Sequence, residues 1–494
     1  MTVAADLTTV VKHPKRFYIG GEWVLPSTSA TFEVVESATE EVILRVAEAR
    51  EADMARAITA ARLAFDEGPW PRMSHTERAG YLRAMATAIR DRRAEFAQIW
   101  PREAGVLHGI ASYVSTMAAG MYDQYAGYAD TYAFEQLVEP TSGGQFGLLV
   151  REPVGVVGAI VPWNAPLTLI SSKLPPALLA GCTVVLKLSP EAPGEGYLLA
   201  EIAEAIGLPP GVLNIVTAER EVSEQLVRDP RIDKISFTGS TAAGRRIASI
   251  CGDRIARCTL ELGGKSAAVI LDDADPVSAA QTVATAVLGI TGQACLSLTR
   301  VIVPREHHDE VAETIAAVFA QVQVGDPFDP ASGIGPLALE RQRDRVEGYI
   351  AKGIEEGAKL IHGGQRPKHL ARGWFIEPTV FSNVQNSSTI AQEEIFGPVL
   401  SVIAADSEDH AIAMANDTIY GLNSSVFTPD ATRARRVAAR LRSGTVGHNA
   451  LRADLGLGVG GFKQSGIGRE GGIEGLRPYL ESKTVILDGT PAGY

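Results

Sequence analysis

The sequence predicts an α/β protein built on a parallel β-sheet that carries helices on both faces. Between residues 154 and 271, short apolar runs alternate with segments of helical periodicity. The apolar runs cover residues 154–161, 183–186, 212–216, 235–237 and 267–271, and the helical segments cover 174–180, 195–206, 222–227 and 241–250. Strands that are covered on both faces have unbroken apolar sequences, so this alternation is typical of a parallel sheet.

The flanking regions add further elements. Residues 17–24 predict a hairpin, because two apolar runs surround a pair of glycines. A capping-box pattern at residues 74–77 marks the start of a helix. After residue 272, a strand at 301–303 and a helix at 307–322 indicate a second α/β unit.

Composition restricts the possible functions. The 494 residues suggest about three domain-sized units. The net charge of -12 argues against nucleic acid or an anionic membrane as a partner. The 4 cysteines form no CxxC pair, which argues against a zinc site or a disulfide framework. No apolar run reaches the ~18 residues of a membrane span. We therefore expect a cytoplasmic protein without a metal site.

The segment 292–300, GQACLSLTR, has Cys295 at its centre. A helix-like run at 277–290 precedes it and a strand-like run at 300–303 follows it. A thiol at a turn between two rigid elements can contact a ligand without steric hindrance from neighbouring side chains. The alternative interpretation is that Cys295 only packs, since free cysteine is among the most buried residue types.

Other polar groups follow predicted strands and are expected near one crevice, because loops leave a parallel sheet at the carboxyl ends of its strands. Asn164 offers an amide, Glu261 a carboxylate, and Ser240 begins a helix whose free N–H groups suit a phosphate. Together with a thiol they could supply a nucleophile, a base and an oxyanion donor. Asn164 could instead cap a turn, and Glu261 could be an exposed carboxylate.

Seven motifs in this order resemble those of the NAD(P)-dependent aldehyde dehydrogenase superfamily. They are PWNAPL, FTGSTAAGR, ELGGKS, GQACLSLTR, EEIFGPV, NDTIYGL and GGFKQSGIGRE. The resemblance spans residues from about 150 to 475 and implies a Rossmann-like parallel-sheet cofactor domain, a second α/β catalytic domain and a small β oligomerisation extension. We assign the cofactor domain to residues 1–136 and 156–262, the catalytic domain to 263–469, and the oligomerisation segments to 137–155 and 470–494.

The resemblance implies a non-acylating oxidation of an aldehyde to a carboxylic acid. Cys295 would attack the aldehyde, Asn164 and the Cys295 backbone N–H would hold the oxyanion, and water activated by Glu261 would hydrolyse the thioester. Lys173 matches a lysine that the family places near the active site. The residues implied to bind the cofactor are Trp163, Lys187, Glu191, Thr238, Gly239, Ser240, Leu262, Gly263, Glu394 and Phe396.

Departures from the family pattern bear on specificity. Pro190 stands where NAD-preferring relatives often carry Glu, so Glu191 is the remaining candidate to meet the adenine-side ribose. We expect NAD as the cofactor, with NADP possible. Small residues at Ala165, Ser172 and Val459 predict a substrate pocket for a hydrophobic, fairly bulky aldehyde. The family assembles by adding strands across subunits, so we expect a homodimer or homotetramer.

Two other functions remain open at this point. An acylating aldehyde dehydrogenase would pass the thioester to coenzyme A, but that route needs no base such as Glu261. A non-catalytic NAD-binding relative would not need Cys295 and Asn164. Lys187 could also lie extended at a sheet edge, the usual fate of lysine.

Overall fold

The computed structural model describes residues 7–494. The first six residues of the predicted cofactor domain lie outside the described range. The strands are β1 (Phe17–Ile19), β2 (Glu22–Val24), β3 (Thr31–Val35), β4 (Val42–Ala47), β5 (Glu135–Val138), β6 (Phe146–Pro153), β7 (Val156–Ile160), β8 (Thr183–Leu188), β9 (Leu213–Thr217), β10 (Lys234–Thr238), β11 (Arg257–Glu261), β12 (Ala267–Ile270), β13 (Arg300–Pro304), β14 (Lys359–His362), β15 (Thr379–Ser382), β16 (Val399–Ala405), β17 (Asn423–Phe427), β18 (Thr445–His448), β19 (Gly466–Ile467) and β20 (Leu480–Leu487).

Helices surround these strands. They are α1 (Glu51–Asp66), α2 (His75–Asp91), α3 (Arg93–Ala104), α4 (His108–Thr131), α5 (Pro166–Ser171), α6 (Leu174–Ala180), α7 (Gly194–Ala205), α8 (Arg220–Arg228), α9 (Thr241–Asp253), α10 (Pro276–Leu288), α11 (His308–Ala320), α12 (Glu340–Glu355), α13 (Thr389–Gln392), α14 (Glu408–Asn416), α15 (Ala431–Ala438) and α16 (Gly472–Leu476). The predicted hairpin forms from β1 and β2. The predicted capping box is present, with Ser74 accepting from the backbone N–H of Glu77 at the start of α2.

The first sheet has the strand order β19-β11-β10-β7-β8-β9-β1-β2. Its five central strands run parallel, and the strands at both ends pair antiparallel. Apolar clusters cover both faces of this sheet, which confirms the predicted fold class. The sequence pattern missed β11, because this strand begins with exposed Arg257 and half-buried Cys258 and so forms no apolar run.

The second sheet has the order β14-β15-β16-β13-β12-β17-β18 and is parallel except at β14. The apolar run 267–271 was counted with the strands of the first sheet, and this was wrong. It forms β12, which pairs with β13 and β17 and so belongs to the second sheet. The short connector 262–266 between β11 and β12 therefore passes from one sheet to the other. This crossing brings the two α/β units together at the point where polar residues of the predicted site lie.

A third, smaller sheet joins distant parts of the chain. Strand β20 pairs antiparallel with β6 along its whole length, and β5 lies on the other side of β6. Leu137 on β5 and Ile486 on β20 are large apolar residues that remain exposed. The domain boundaries assigned from the sequence stay a prediction. Within residues 7–494, no helix is long and apolar enough to cross a membrane.

Candidate active site

The segment that carries Cys295 follows a sharp bend. Helix α10 ends at Leu288, two residues earlier than predicted, and the chain then turns through residues 289–292. Ile290 and Thr291 have positive φ angles of 44° and 57°, and Gly292 has 68°. A Cβ at Gly292 would lie 2.3 Å from the carbonyl carbon of Gly397. Glycine is therefore required here, because only it allows the bend to pack against the backbone of the EEIFGPV segment.

Gln293 fixes this bend from inside the protein. Its side chain is 1% exposed. The Oε1 atom accepts from the backbone N–H of Ala338 at 2.9 Å, and Nε2 donates to the Ile290 carbonyl at 3.3 Å. Gln293 was not among the predicted site residues, although it stands two residues before Cys295 in the same motif. The signal that could have identified Gln293 is its polar side chain next to a glycine, in a turn between two buried elements.

Asn164 connects the first sheet to the thiol-bearing segment. It follows β7, and its backbone carbonyl accepts from Trp100 Nε1 at 2.9 Å. Its side-chain Nδ2 donates to the Gln293 carbonyl at 2.9 Å, two residues before Cys295. An amide nitrogen carries two hydrogens, so one N–H of Asn164 holds the segment and the other is available to an oxyanion beside the thiol.

Glu261 ends β11 at the same edge of the first sheet. Its Oε1 is buried without a hydrogen-bond partner among the described residues. Burial and the nearby Glu470 carboxylate raise the pKa of Glu261 well above its ordinary value, against the lowering effect of Lys173. A carboxylate in such surroundings binds a proton more readily than one in water, which suits a general base that works near neutral pH.

Behind Glu261 lies a buried group of polar side chains centred on Glu470. Lys173 Nζ lies 2.5 Å from Glu470 Oε1 and donates to Thr238 Oγ1 at 2.6 Å. Ser172 Oγ donates to Glu470 Oε2 at 2.5 Å. Glu470 was not among the predicted site residues, although it is the last residue of the GGFKQSGIGRE motif. Lys173 therefore pairs with the Glu470 carboxylate, and both charges act on Glu261.

Two residues with other predicted roles belong to this group. Ser172 is 1% exposed and its hydroxyl is bound to Glu470. The Thr238 hydroxyl accepts from Lys173. The substrate contact of Ser172 and the cofactor contact of Thr238 stay predictions. Both side chains are drawn inward because a buried ion pair requires hydrogen bonds to its remaining atoms.

The Cys295 thiol lies among acidic groups. Burial, then the charges of Glu394 and Glu261, raise the pKa of Cys295 to about 12. The backbone carbonyl of Cys295 packs against Gly264, where a Cβ would lie 2.3 Å from the oxygen. The connector between the two sheets therefore touches the thiol-bearing segment directly, and the protein alone keeps the thiol protonated.

This pKa has a measurable consequence. At pH 8 only a small fraction of Cys295 is thiolate, because burial and the neighbouring carboxylates raise its pKa to about 12. We expect the rate of Cys295 alkylation by iodoacetamide, followed on its peptide by mass spectrometry, to rise about tenfold for each pH unit between about pH 7 and pH 10. A rate that levels off below about pH 8 would contradict the acidic surroundings of the thiol.

Glu394 and Phe396 lie beside the connector. Glu394 Oε1 accepts from the backbone N–H of Gly264 at 2.9 Å, and a Cβ at Gly263 would lie 2.5 Å from Oε2. Burial raises the pKa of Glu394. Phe396 has a φ of 63° and meets Trp163 edge-on, with ring centroids 5.5 Å apart. The structure thus brings these predicted cofactor residues, from both α/β units, to one place.

Lys187 and Ser240 lie farther along the edge of the first sheet. Lys187 is next to last in β8 and is 8% exposed. Burial lowers the pKa of Lys187 to about 8, against the charges of Glu191 and Glu219. Ser240 is the N-cap of α9 and is exposed, as predicted from its position between a strand and a helix.

Three further predicted cofactor residues have structural partners in this region. Gly239 donates its backbone N–H to the Glu261 carbonyl at 3.0 Å. Leu262 is buried and packs against Gly244 of α9. The Glu191 carboxylate is held by Arg341 and Ser189. Its contact with the ribose stays a prediction.

The remaining predicted pocket residues are Ala165 and Val459. Ala165 is half-buried and precedes α5, within an apolar cluster that also contains Trp163 and Ile290. The backbone of Val459 pairs with that of Glu470 through hydrogen bonds of 2.7 and 2.9 Å. Residues 7–494 contain no group of three or more His, Cys, Asp or Glu that could hold a metal ion.

Known proteins similar to this chain match it over nearly its whole length. A model described as the Aldehyde dehydrogenase family matches residues 23–485. The geranial dehydrogenase of Castellaniella defragrans is 41% identical over 476 residues, which is 96% of this chain and 99% of that relative. A crystal structure of Mycobacterium tuberculosis aldehyde dehydrogenase complexed with NAD⁺ is 45% identical, with a TM-score of 0.93 over 97% of this chain and 99% of that chain. A variant of aldehyde dehydrogenase C from Pseudomonas syringae in complex with NAD⁺ and octanal is 40% identical, with a TM-score of 0.93 over 97% and 98%.

Proposed function

The chain belongs to the aldehyde dehydrogenase family, and from this premise we propose that it oxidises a hydrophobic aldehyde to a carboxylic acid with NAD, through Cys295, Asn164 and Glu261. One observation carries the proposal most directly. The Asn164 amide donates to the Gln293 carbonyl beside the thiol, so the amide of the first unit and the thiol of the second meet across the two sheets. Glu261 reaches the same place from the end of β11.

The residues on the cofactor side fit a dinucleotide. Lys187 presents an ammonium at the end of β8, which suits ribose hydroxyls. The free N–H groups after Ser240 suit the pyrophosphate. Glu394 would hold the nicotinamide ribose, and Trp163 and Phe396 would pack near the nicotinamide. When bound, NAD supplies the acceptor for the hydride that leaves the substrate carbon.

In the first half of the reaction, the Cys295 sulfur bonds to the aldehyde carbon and the carbonyl oxygen becomes an oxyanion. The free N–H of Asn164 and the Cys295 backbone N–H would donate to this oxygen. Burial and the neighbouring carboxylates raise the pKa of Cys295 to about 12, so the thiol must lose its proton before it attacks. A bound NAD would supply positive charge that favours the thiolate. A thioester on Cys295 remains when hydride has left.

In the second half, Glu261 takes a proton from the water that attacks the thioester. The raised pKa of Glu261 supports this role, because it brings the carboxylate closer to the working pH. The buried Lys173–Glu470 pair acts through Glu261, since the two charges shift the pKa of Glu261 in opposite directions. We therefore assign Lys173 a positioning and electrostatic role.

The proposed substrate is medium-chain or aromatic. Ala165 leaves space beside Asn164, and helix α4 passes the same apolar cluster. On α4, Tyr113 and Met117 are four residues apart and are both exposed, at 67% and 41%. Residues at this spacing share a helix face, so they form an apolar surface outside the site. The geranial and octanal named for the two relatives are hydrophobic aldehydes of similar size.

An aldehyde panel tests this proposal, with NADH formation followed by absorbance. We expect kcat/KM for octanal and for an aromatic aldehyde to exceed that for acetaldehyde by at least about tenfold, because each buried CH₂ contributes ~0.8 kcal/mol. Succinate semialdehyde should also be poor, since its carboxylate would lose hydration. If either small aldehyde were the better substrate, the hydrophobic pocket would be disproved.

The proposal also covers the cofactor preference, the oligomeric state and the cellular location of the protein. NAD is the preferred cofactor and NADP is also used. A homodimer or homotetramer is supported by the apolar residues that β5 and β20 leave exposed, because unpaired edge strands invite a partner. A cytoplasmic location is supported by the cysteines, since Cys295 acts only as a reduced thiol and the four cysteines are free.

A further inference from the structure

An ion pair joins the two α/β units beside Lys187. Arg341 lies in the first turn of α12, and its Nη2 donates to Glu191 Oε1 in the loop after β8. The other carboxylate oxygen, Oε2, accepts from Ser189 Oγ. Burial opposes ionisation, but the hydrogen bonds from Ser189 and Arg341 lower the pKa of Glu191. Both oxygens of this carboxylate are therefore engaged in the ionised form.

The two partners differ in their exposure. The Glu191 side chain is 20% exposed, whereas the Arg341 side chain is 65% exposed. Lys187 lies only four residues before Glu191, and the charge of Glu191 acts on its ammonium. Removal of the exposed guanidinium would leave a carboxylate uncompensated next to Lys187. At an effective dielectric constant near 20, such a charge acts on neighbours several ångströms away.

We propose that Arg341 is a specificity-determining residue, which lets the ribose position accept the 2′-phosphate of NADP by neutralising Glu191. This inference rests on the proposed function, in which Lys187 meets the adenine-side ribose. A free carboxylate would repel a 2′-phosphate, while Lys187 attracts both ribose hydroxyls and phosphate. With Glu191 neutralised by Arg341, the repulsion is removed and Lys187 can bind either cofactor.

Nucleotide fragments test this inference without turnover. The dissociation constants of adenosine 2′,5′-bisphosphate and AMP are measured by calorimetry on the full chain, and their ratio reports the 2′-phosphate alone. We expect Arg341→Gln to weaken the bisphosphate relative to AMP by about tenfold. In a Glu191→Gln background the same substitution should change the ratio by less than about twofold, because no carboxylate is left to repel the phosphate.

A matched control removes a similar charge elsewhere. Arg366 is 53% exposed and pairs with Glu347 of α12 at 2.5 Å, so Arg366→Gln should leave the ratio unchanged. Thermal unfolding followed by circular dichroism compares the folded state of all variants. The kcat/KM values for NADP and NAD should follow the binding ratios, with Arg341→Gln favouring NAD.

Three results would overturn the inference. The ratio could stay unchanged in Arg341→Gln, or neither fragment could bind the wild-type protein. Equal losses in the single and double variants would show that Arg341 contacts the phosphate directly. The proposed function fails separately, if the wild-type protein oxidises no aldehyde with NAD, and the binding ratios remain measurable in that case.

Discussion

Replacement of Cys295 by alanine is expected to reduce aldehyde oxidation by more than about 10³-fold, while NAD still binds. The alanine removes the atom that bonds to the aldehyde carbon. The bend that positions this atom depends on Gly292 and Gln293 and not on the thiol, so the fold should persist. Turnover is measured by NADH absorbance, and binding by quenching of protein fluorescence.

Cys182 and Cys251, both buried, provide the matched controls. A conservative Cys251→Ser change should keep most of the activity, because Cys251 lies on α9, in an apolar cluster that covers one face of the first sheet. Retained oxidation in the Cys295→Ala protein would refute the assignment. So would an iodoacetamide adduct that inactivates the enzyme and lies only on Cys182, Cys251 or Cys258.

Replacement of Glu261 by glutamine is expected to separate the two halves of the reaction. The variant should release about one NADH per active site in a rapid burst and then turn over at least about 10²-fold more slowly than the wild type, since the amide cannot take a proton from water. Stopped-flow absorbance resolves both phases. The wild-type steady rate should fall on acidification through the raised pKa of Glu261, because protonation disables the base.

The turnover of Glu261→Gln, measured with and without coenzyme A, also distinguishes hydrolysis of the thioester from its transfer to coenzyme A. Steady turnover of Glu261→Gln near the wild-type rate would show that this carboxylate is not the base. Restoration of turnover by coenzyme A would favour the acylating alternative, in which a thiol replaces water. Arg366→Gln serves here too as a folded control, because Arg366 is exposed and pairs with Glu347 of α12.

Sequence patterns predicted the parts of this fold in which burial is uniform. Strands β7 to β10 and helices α6, α7 and α8 follow directly from apolar periodicity, because both faces of the sheet are covered. Helix α5 was not predicted. Strand β11 was not predicted, because its pairing with β10 and β19, and not an apolar sequence, makes it a strand. The second sheet was expected as a unit, but its strand order depends on long-range pairing that no local pattern carries.

The site also contains residues that were predicted from the sequence and residues that were not. Cys295, Asn164 and Glu261 were selected from the ordered family motifs, because their residue types alone also fit structural roles. The structure places Asn164 against the segment that carries Cys295, and the charge of Glu261 acts on the thiol. Glu470 and Gln293 were missed, because their importance comes from buried partners far away in the chain. The partner of Glu191 was equally hidden, since Arg341 stands 150 residues later and appears in sequence as one of several surface arginines.

The crossing between the sheets has a consequence for synthesis on the ribosome. The first sheet ends at β11, but its edge is completed by β19, roughly 200 residues later in the chain. At ~5–20 residues per second, the ribosome needs roughly 10–40 s to make that stretch. During this time the Lys173 ammonium has no Glu470, and an unpaired buried charge opposes compaction. We therefore expect the first sheet to complete its folding only after β19 and Glu470 have emerged from the ribosome.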